Sequence, residues 1–287
     1  MLNKDFSPML LTEIDKPFND KNYIFELKYD GIRVIIKIKN NKLKIYSRNK
    51  RDITYLFPEI KINTKNNVIF DGEIVLFDNN KPSFLKLQER LYLKDKNKIK
   101  YNSINNKVVF IVFDILYENK DITNLPLLKR KEILNKYIDT DVFIKSFFIE
   151  EKGINLFKKV KKLNLEGIVA KKIDSTYHIN TRSKEWIKIK NFKEEEFIVA
   201  GYKSNKSIYT ITLCLGELKD NNLYYVGSVV LNKKDKLYNK IITSKKIDNP
   251  FIDFNEEYTY IKPIIKVNVI YLERTNNNHL RHPVIKD

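Results

Sequence analysis

Short apolar runs rich in β-branched side chains, each closed by an Asn, Asp or Gly turn, recur along the whole chain and commit it to a strand-rich fold. The stretch Phe25 to Lys28 alternates, Val34 to Lys39 is β-branched, and Leu43 to Ser47 follows Asn40-Asn41, the composition of a tight hairpin turn. Helical spacing is predicted around Ser83 to Leu93, Leu127 to Tyr137 and Ile154 to Leu163, between extended segments at Val68 to Phe77, Val108 to Leu116 and Phe143 to Phe148. This is the pattern of a mixed α+β domain. The Lys/Asn-rich stretch Lys94 to Lys107 is predicted to be a solvated loop. Beyond the charged run Lys193-Glu-Glu-Glu196, strands are predicted at Phe197 to Tyr202, Tyr209 to Leu215, Tyr224 to Leu231, Tyr258 to Lys262 and Val267 to Leu272, with one helix near Lys233 to Thr243. Five strands and a helix suit a small β-barrel of the OB type. The predicted division is 1–192 and 193–287.

Composition narrows the partners. The longest apolar runs, such as Val108 to Leu116, are broken by charges and fall short of the roughly 20 residues a membrane span needs, so no membrane is expected. The opening Met-Leu-Asn-Lys-Asp leads into no secretory signal, and a cytoplasmic location is expected. Cys214 is the only cysteine and the three histidines are scattered, which argues against a disulfide or a zinc site and for a buried, inert strand thiol. The formal charge of +18 would attract a polyanion, with nucleic acid the natural one. The basic residues are mainly Lys in a chain crowded with Asn and Ile, as an A·T-biased genome would produce, so charge alone leaves a solvated surface equally open.

The segment Phe25-Glu-Leu-Lys-Tyr-Asp-Gly-Ile-Arg33 runs a strand up to a lysine and then turns through Asp30-Gly31. A lysine is a nucleophile only when unprotonated, a state favoured by nearby cations, bound metal or desolvation. Lys28 can therefore be read as an attacking amine or as an exposed lysine before a hairpin turn. Lys188 and Lys190 alternate on one strand face, with Ile187 and Ile189 on the other, which fits a phosphate clamp or an ordinary amphipathic strand.

Read in order, six segments resemble the motifs of the covalent nucleotidyltransferases, and the ATP-dependent DNA ligases most closely. They are Lys28-Tyr-Asp-Gly-Ile-Arg33, Ser47-Arg48, Phe70-Asp-Gly-Glu73, Phe113-Asp-Ile-Leu-Tyr117, Glu166-Gly-Ile-Val-Ala-Lys171 and Trp186-Ile-Lys-Ile-Lys190. Further on, Gly201-Tyr202, Leu223-Tyr-Tyr-Val-Gly227, Tyr271-Leu-Glu-Arg-Thr275 and Leu280-Arg-His-Pro283 are similar to the ligase domain of the bacterial LigD end-joining proteins. The resemblance implies an ATP-grasp-like DNA ligase adenylation (nucleotidyltransferase) domain followed by a β-barrel OB-fold domain, acting as a monomer on nicked double-stranded DNA.

It also implies roles. Lys28 would carry AMP, and Glu26, beside Leu27, would accept from the adenine amino group. Arg33 and Arg48 would contact ribose and phosphate, Glu73 a ribose hydroxyl, and Phe113 would stack on adenine. Glu166, with Glu73, would hold Mg²⁺ or Mn²⁺, and Lys188 and Lys190 would reach the α-phosphate. Asp30 would assist the metal or Lys28, and Arg281 would orient the pyrophosphate leaving group. DNA would meet Arg33, Arg48, Lys203 and Lys206. Relatives of the LigD type continue into further basic residues where this chain stops at Val284-Ile-Lys-Asp287, and no separate DNA-binding domain precedes the core, so grip would come from the two catalytic domains, an inserted loop or a partner such as Ku. RNA ligases and mRNA-capping guanylyltransferases share Lys-x-Asp-Gly and are the nearest enzymatic rivals. A non-catalytic nucleic-acid-binding protein is the rival from another class, against which the joint presence of Lys28, Glu73, Glu166, Lys188 and Lys190 argues.

Overall fold

A computed structural model describes residues 1–275 and 277–286. The chain divides into two compact units, Met1–Asn191 and Phe192–Asp287. The first unit carries β1 (Leu10–Glu13), β2 (Asp20–Lys28), β3 (Ile32–Lys39), β4 (Lys42–Ser47), β5 (Val68–Asp78), β6 (Lys81–Pro82), β7 (Val108–Glu118), β8 (Phe143–Lys145), β9 (Phe148–Glu151), β10 (Gly167–Lys172) and β11 (Arg182–Lys190). Its helices are α1 (Phe84–Leu91), α2 (Lys96–Asn105), α3 (Leu127–Leu134) and α4 (Gly153–Lys162). Two sheets result, in the orders β1-β11-β10-β2-β9 and β4-β3-β5-β7-β8.

Three apolar clusters make this unit layered. Val34, Ile36, Phe70 and Val112, on the outer face of the β3-β5-β7 sheet, pack with Leu87 of α1, Ile99 of α2 and Leu134 of α3. Phe25, Ile168 and Ile189, on the outer face of the other sheet, pack with Phe157 and Val160 of α4. Ile24 and Trp186 of one inner face meet Ile35, Ile69 and Leu116 of the other, so the two sheets face each other. Alternation along each strand therefore sends the residues between these apolar ones, Glu26, Lys28, Arg33 and Glu73, towards the space between the sheets.

Turn chemistry agrees with the sequence at the first hairpin. Asn40 and Asn41 take φ of 49° and 60°, the left-handed pair that a two-residue turn between β3 and β4 requires. Gly31 closes the next tight spot, because a Cβ there would lie 2.3 Å from the Ile74 carbonyl oxygen of β5. The predicted loop from Lys94 to Lys107 is instead largely helix α2. The Asp95 side chain accepts from Lys98 N at 2.8 Å, a cap that composition hides, and Ile99 and Ser103 give the helix a buried side.

The second unit holds β12 (Lys193–Ser204), β13 (Thr210–Lys219), β14 (Asn222–Asn232), α5 (Lys236–Ile242), β15 (Thr259–Tyr271) and β16 (Val284–Ile285), with sheet order β14-β13-β12-β15-β16. The two strands predicted around Tyr258 to Lys262 and Val267 to Leu272 are one strand, β15. Pro263 does not break it because it falls where the register against β12 shifts, between the Val199–Ile265 and Gly201–Tyr260 pairs. Leu280 N donates to Val226 O at 2.7 Å, so the chain after β15 returns to the free side of β14. Cys214 lies buried in β13, and burial pushes its thiol up to about 12. Among the described residues no helix is long and apolar enough to cross a membrane.

One buried ion pair anchors α3 to the central sheet. Arg130 and Asp114 are both fully buried and joined by two 2.8 Å contacts, and Arg130 also donates to the Ser175 carbonyl at 3.0 Å. Removing one partner leaves an uncompensated buried charge. Arg130→Ala is expected to cost about 3–5 kcal/mol, read as a lower urea midpoint, and a loss under about 1 kcal/mol would show that the pair is dispensable.

Candidate active site

Strand register assembles the site. β10 lies between β2 and β11, pairing Gly167 with Lys28 on one side and Lys190 on the other, and Val169 with Glu26 and Lys188. Lys28 and Lys190 thus share a row, separated by one strand, or about 10 Å. Gly167 sits in the middle of that row, where a Cβ would come within 2.2 Å of the Ile189 carbonyl oxygen. Across the cleft, β3 and β5 pair Arg33 with Glu73, and β7 supplies Phe113. The narrow pocket so enclosed is lined by Glu26, Lys28, Arg33, Glu73, Phe113 and Trp186, with Leu27, Val169 and Lys171 also bordering it.

Lys28 Nζ donates to Glu166 Oε1 at 2.6 Å. Burial pushes the amine towards neutrality, but Glu166, Glu73 and Asp30 outweigh it, and the ammonium is held above the usual lysine value. Desolvation, one of the three influences named from the sequence as favouring the unprotonated amine, is present and overridden. Glu73 shows the opposite balance. Burial, aided by Glu166 and Asp71, exceeds the pull of Lys28 and Arg33 and raises its carboxyl to about 8.

Glu26 is buried with both oxygens engaged, Oε1 by Lys131 Nζ and Oε2 by Lys171 Nζ at 2.8 Å. Burial alone would neutralise this carboxyl; the two lysines overcome it and hold Glu26 ionised. Lys171 pays in turn, lowered by burial to about 8 while its Nζ lies 4.2 Å from the Phe113 ring centre and 4.1 Å from that of Trp186. Arg33 forks onto Asp71 at 3.0 and 2.7 Å, and the Tyr177 hydroxyl donates to the same carboxylate at 2.6 Å. Lys188 and Lys190 both reach Glu13 Oε2, at 2.8 and 3.2 Å.

Other predicted residues lie elsewhere. Arg48 is exposed in the turn after β4 and does not line the pocket. In the second unit Lys203 is exposed beside Glu256 at 3.3 Å, Lys206 is exposed between β12 and β13, and Arg281 pairs with Glu273. Among the described residues no three His, Cys, Asp or Glu side chains converge as a metal cage. The two carboxylates facing Lys28 offer hard oxygens of the kind that bind Mg²⁺ or Mn²⁺ together with waters and substrate phosphates.

A family described as the ATP dependent DNA ligase domain matches residues 1–190. The chain belongs to that family. It is 33% identical over 283 residues to the SPbeta prophage-derived DNA ligase-like protein LigB of Bacillus subtilis (strain 168), covering 96% of each. It is 30% identical over 299 residues to the multifunctional non-homologous end joining protein LigD of Mycolicibacterium smegmatis, spanning 98% of this chain and 38% of that one. In structure it resembles the ligase domain of M. tuberculosis LigD, with a TM-score of 0.60 at 23% identity over 98% of this chain and 94% of that one. A Lig E DNA ligase gives 0.67 at 16% identity over 98% of both. These likenesses identify the fold of the adenylation domain.

Sequence reasoning missed Lys131, Asp71, Tyr177 and Glu13. Lys131 neutralises Glu26, Glu13 holds Lys188 and Lys190, Asp71 holds Arg33 and Tyr177 holds Asp71, and only the fold brings these together. Lys171 was visible inside its motif but carried no role. The raised Glu73 carboxyl can be tested through stability. With a folded value near 8 against an ordinary 4.5, its contribution is fully present below pH 4.5 and lost as pH rises through 8. Glu73→Gln cannot ionise, so its melting temperature is expected to gain on wild type between about pH 5 and pH 8.5. A difference that stays flat across that window would mean Glu73 is already ionised.

Proposed function

We propose that the protein seals nicks bearing 3′-hydroxyl and 5′-phosphate ends in duplex DNA through a lysyl-AMP formed on Lys28, in DNA repair or end joining. The observation that carries this reading is Lys28 itself, a half-buried amine at the end of β2 in one row with Lys190 and within reach of two carboxylates. In the first step the Lys28 nitrogen bonds the α-phosphorus of ATP and the bond to pyrophosphate breaks. In the second, a 5′-phosphate oxygen of DNA takes the adenylate and the phosphorus–nitrogen bond breaks, returning the electron pair to Lys28. In the third, the 3′-hydroxyl attacks the activated phosphate and AMP leaves.

The chain's own groups divide these tasks. Glu26, kept ionised by Lys131 and Lys171, is acceptor-only and suits the adenine amino group, not the guanine oxygen. Phe113 offers a ring for the base, and Glu73 a protonated carboxyl for a ribose hydroxyl. Lys188 and Lys190, once released from Glu13, present two cations to the α-phosphate, where charge stabilisation does most of the work. Glu166, joined by Glu73 once that carboxyl gives up its proton, would hold Mg²⁺ or Mn²⁺, which would supply positive charge at the phosphates. Arg33 is committed to Asp71, so it supports the pocket wall and leaves DNA phosphates to exposed cations such as Arg48, Lys203 and Lys206. The second unit is read as an OB-type barrel, supported by its sheet order and by the return of Leu280 to β14.

The similarity to relatives of LigD type makes end joining the pathway to test, with Ku as the partner to supply. Purified protein given α-labelled ATP and Mg²⁺ is expected to gain one covalent adenylate, and Lys28→Ala none. Label from GTP in preference to ATP, or equal label on the alanine variant, would sink the proposal. Nicked and double-broken duplexes, each with and without Ku, then separate nick sealing from end joining.

A further inference from the structure

A second concave surface lies far from the adenylate pocket, on the other side of the β3-β5-β7 sheet and outside its helical cover. It is a groove of about 770 Å³ between Tyr55 to Lys61, helix α2 and the turn at Asp141. Lys61, Lys94, Lys96, Lys100 and Lys107 line it. Only Lys107 has an acidic partner, Asp141 at 3.1 Å; among the described residues the other four make no ion pair. The other carboxylate of the groove, Glu59, is already spent on the buried Arg90 at 2.5 Å.

The groove is built, not a chance run of surface lysines. Arg90 ties its walls together, donating to Glu59, to the Leu56 carbonyl at 2.8 Å and to the Asn106 carbonyl at 3.0 Å. Glu59 in turn accepts from Val108 N at 3.3 Å. On α2, Lys96 and Lys100 stand one turn apart on the groove side, a like-charge spacing that weakens a helix. A local rule broken without a partner inside the fold is expected where a ligand supplies the compensation. Lysines act as point charges without the fork that reads base edges, so they suit phosphates and not sequence.

We propose that this groove binds the phosphodiester backbone of duplex DNA outside the nick, as a sequence-independent hold separate from the catalytic pocket. The choice of DNA as the polyanion rests on the functional reading above; the position of the hold rests on the groove alone. Each phosphate contact releases counterions, so binding weakens with salt at a slope of about 0.9 per contact.

The test compares three proteins by fluorescence anisotropy on intact and nicked duplexes over a series of salt concentrations. In one, Lys94→Gln, Lys96→Gln and Lys100→Gln are combined; in another, Lys158→Gln, Lys159→Gln and Lys162→Gln remove the same charge from exposed positions on α4. The groove variant is expected to lose about three from the slope, equally on both duplexes, while the α4 variant keeps the wild-type slope. Arginine at the three groove positions is expected to restore it. An unchanged slope in the groove variant, or an equal fall in the α4 variant, overturns the proposal. Should the triple variant melt early, Lys96→Gln alone is read, with a fall of about one expected. Self-adenylation is followed in every protein: wild-type label with an altered slope supports the groove, and absence of label in wild type overturns the lysyl-AMP reading while the slopes still decide the groove.

Discussion

Charges can be buried between two sheets only if each meets an opposite charge there, since the effective penalty is several kcal/mol per ion. The inner faces of the first unit are organised by this constraint. Asp114 meets Arg130, Asp71 meets Arg33 and the Tyr177 hydroxyl, and Glu26 meets Lys131 and Lys171. These pairs cross between elements, and through Arg130 and Lys131 the contacts that remove the penalty also tie α3 to a strand of each sheet. Arg130 and Lys131 are neighbours on α3, one fixing the helix to β7 and the other reaching β2. The helix has no side-chain cap at its start, and these two contacts hold it in place of one.

Register does the rest. Because side chains alternate strictly along a strand, a slip of one residue between β2 and β10 would send Glu26 and Lys28 to the α4 side and bring Phe25 and Leu27 inward. The outer clusters forbid that slip, since Phe25, Ile168 and Ile189 already fill the space against α4. Apolar packing on the far face thereby positions the polar groups on the near face. Gly167 leaves room for the Ile189 carbonyl oxygen, which a Cβ would approach to 2.2 Å, so β10 can lie between β2 and β11 with Lys28 and Lys190 in one row.

Much of this was legible in the chain itself, and what was hidden was hidden for a physical reason. The alternation of Ile187, Lys188, Ile189 and Lys190, the Asn40-Asn41 turn and the strand ending at Lys28 all depend on neighbours a few residues away, and all stand as read. The helix at Lys96–Asn105 was not legible, because its polar composition gives almost no periodic signal and its cap is a single aspartate. The gap read between Tyr258 to Lys262 and Val267 to Leu272 is absorbed by a register shift in the pairing with β12. Within the site, the named residues came from short motifs, whereas Lys131, Glu13 and Tyr177 act from 105, 175 and 106 positions away on Glu26, Lys188 and Asp71. Partners at such separations leave no trace in local spacing.

Two opposed influences set the protonation of Lys28. Burial favours the neutral amine a nucleophile needs, and the carboxylates of Glu166, Glu73 and Asp30 favour the ammonium more strongly. Those carboxylates are also the oxygens on which positive charge can be placed. Any cation brought to them weakens their hold on Lys28 and leaves burial as the surviving influence, which acts towards the neutral amine. Glu73, near neutral through its own burial, makes the shift easier, because it already contributes less than a full negative charge. If Lys28 is the nucleophile proposed above, the carboxylates that keep it protonated are the ones whose neutralisation would free it, and desolvation, one of the three influences named from the sequence, takes effect only when that balance is tipped.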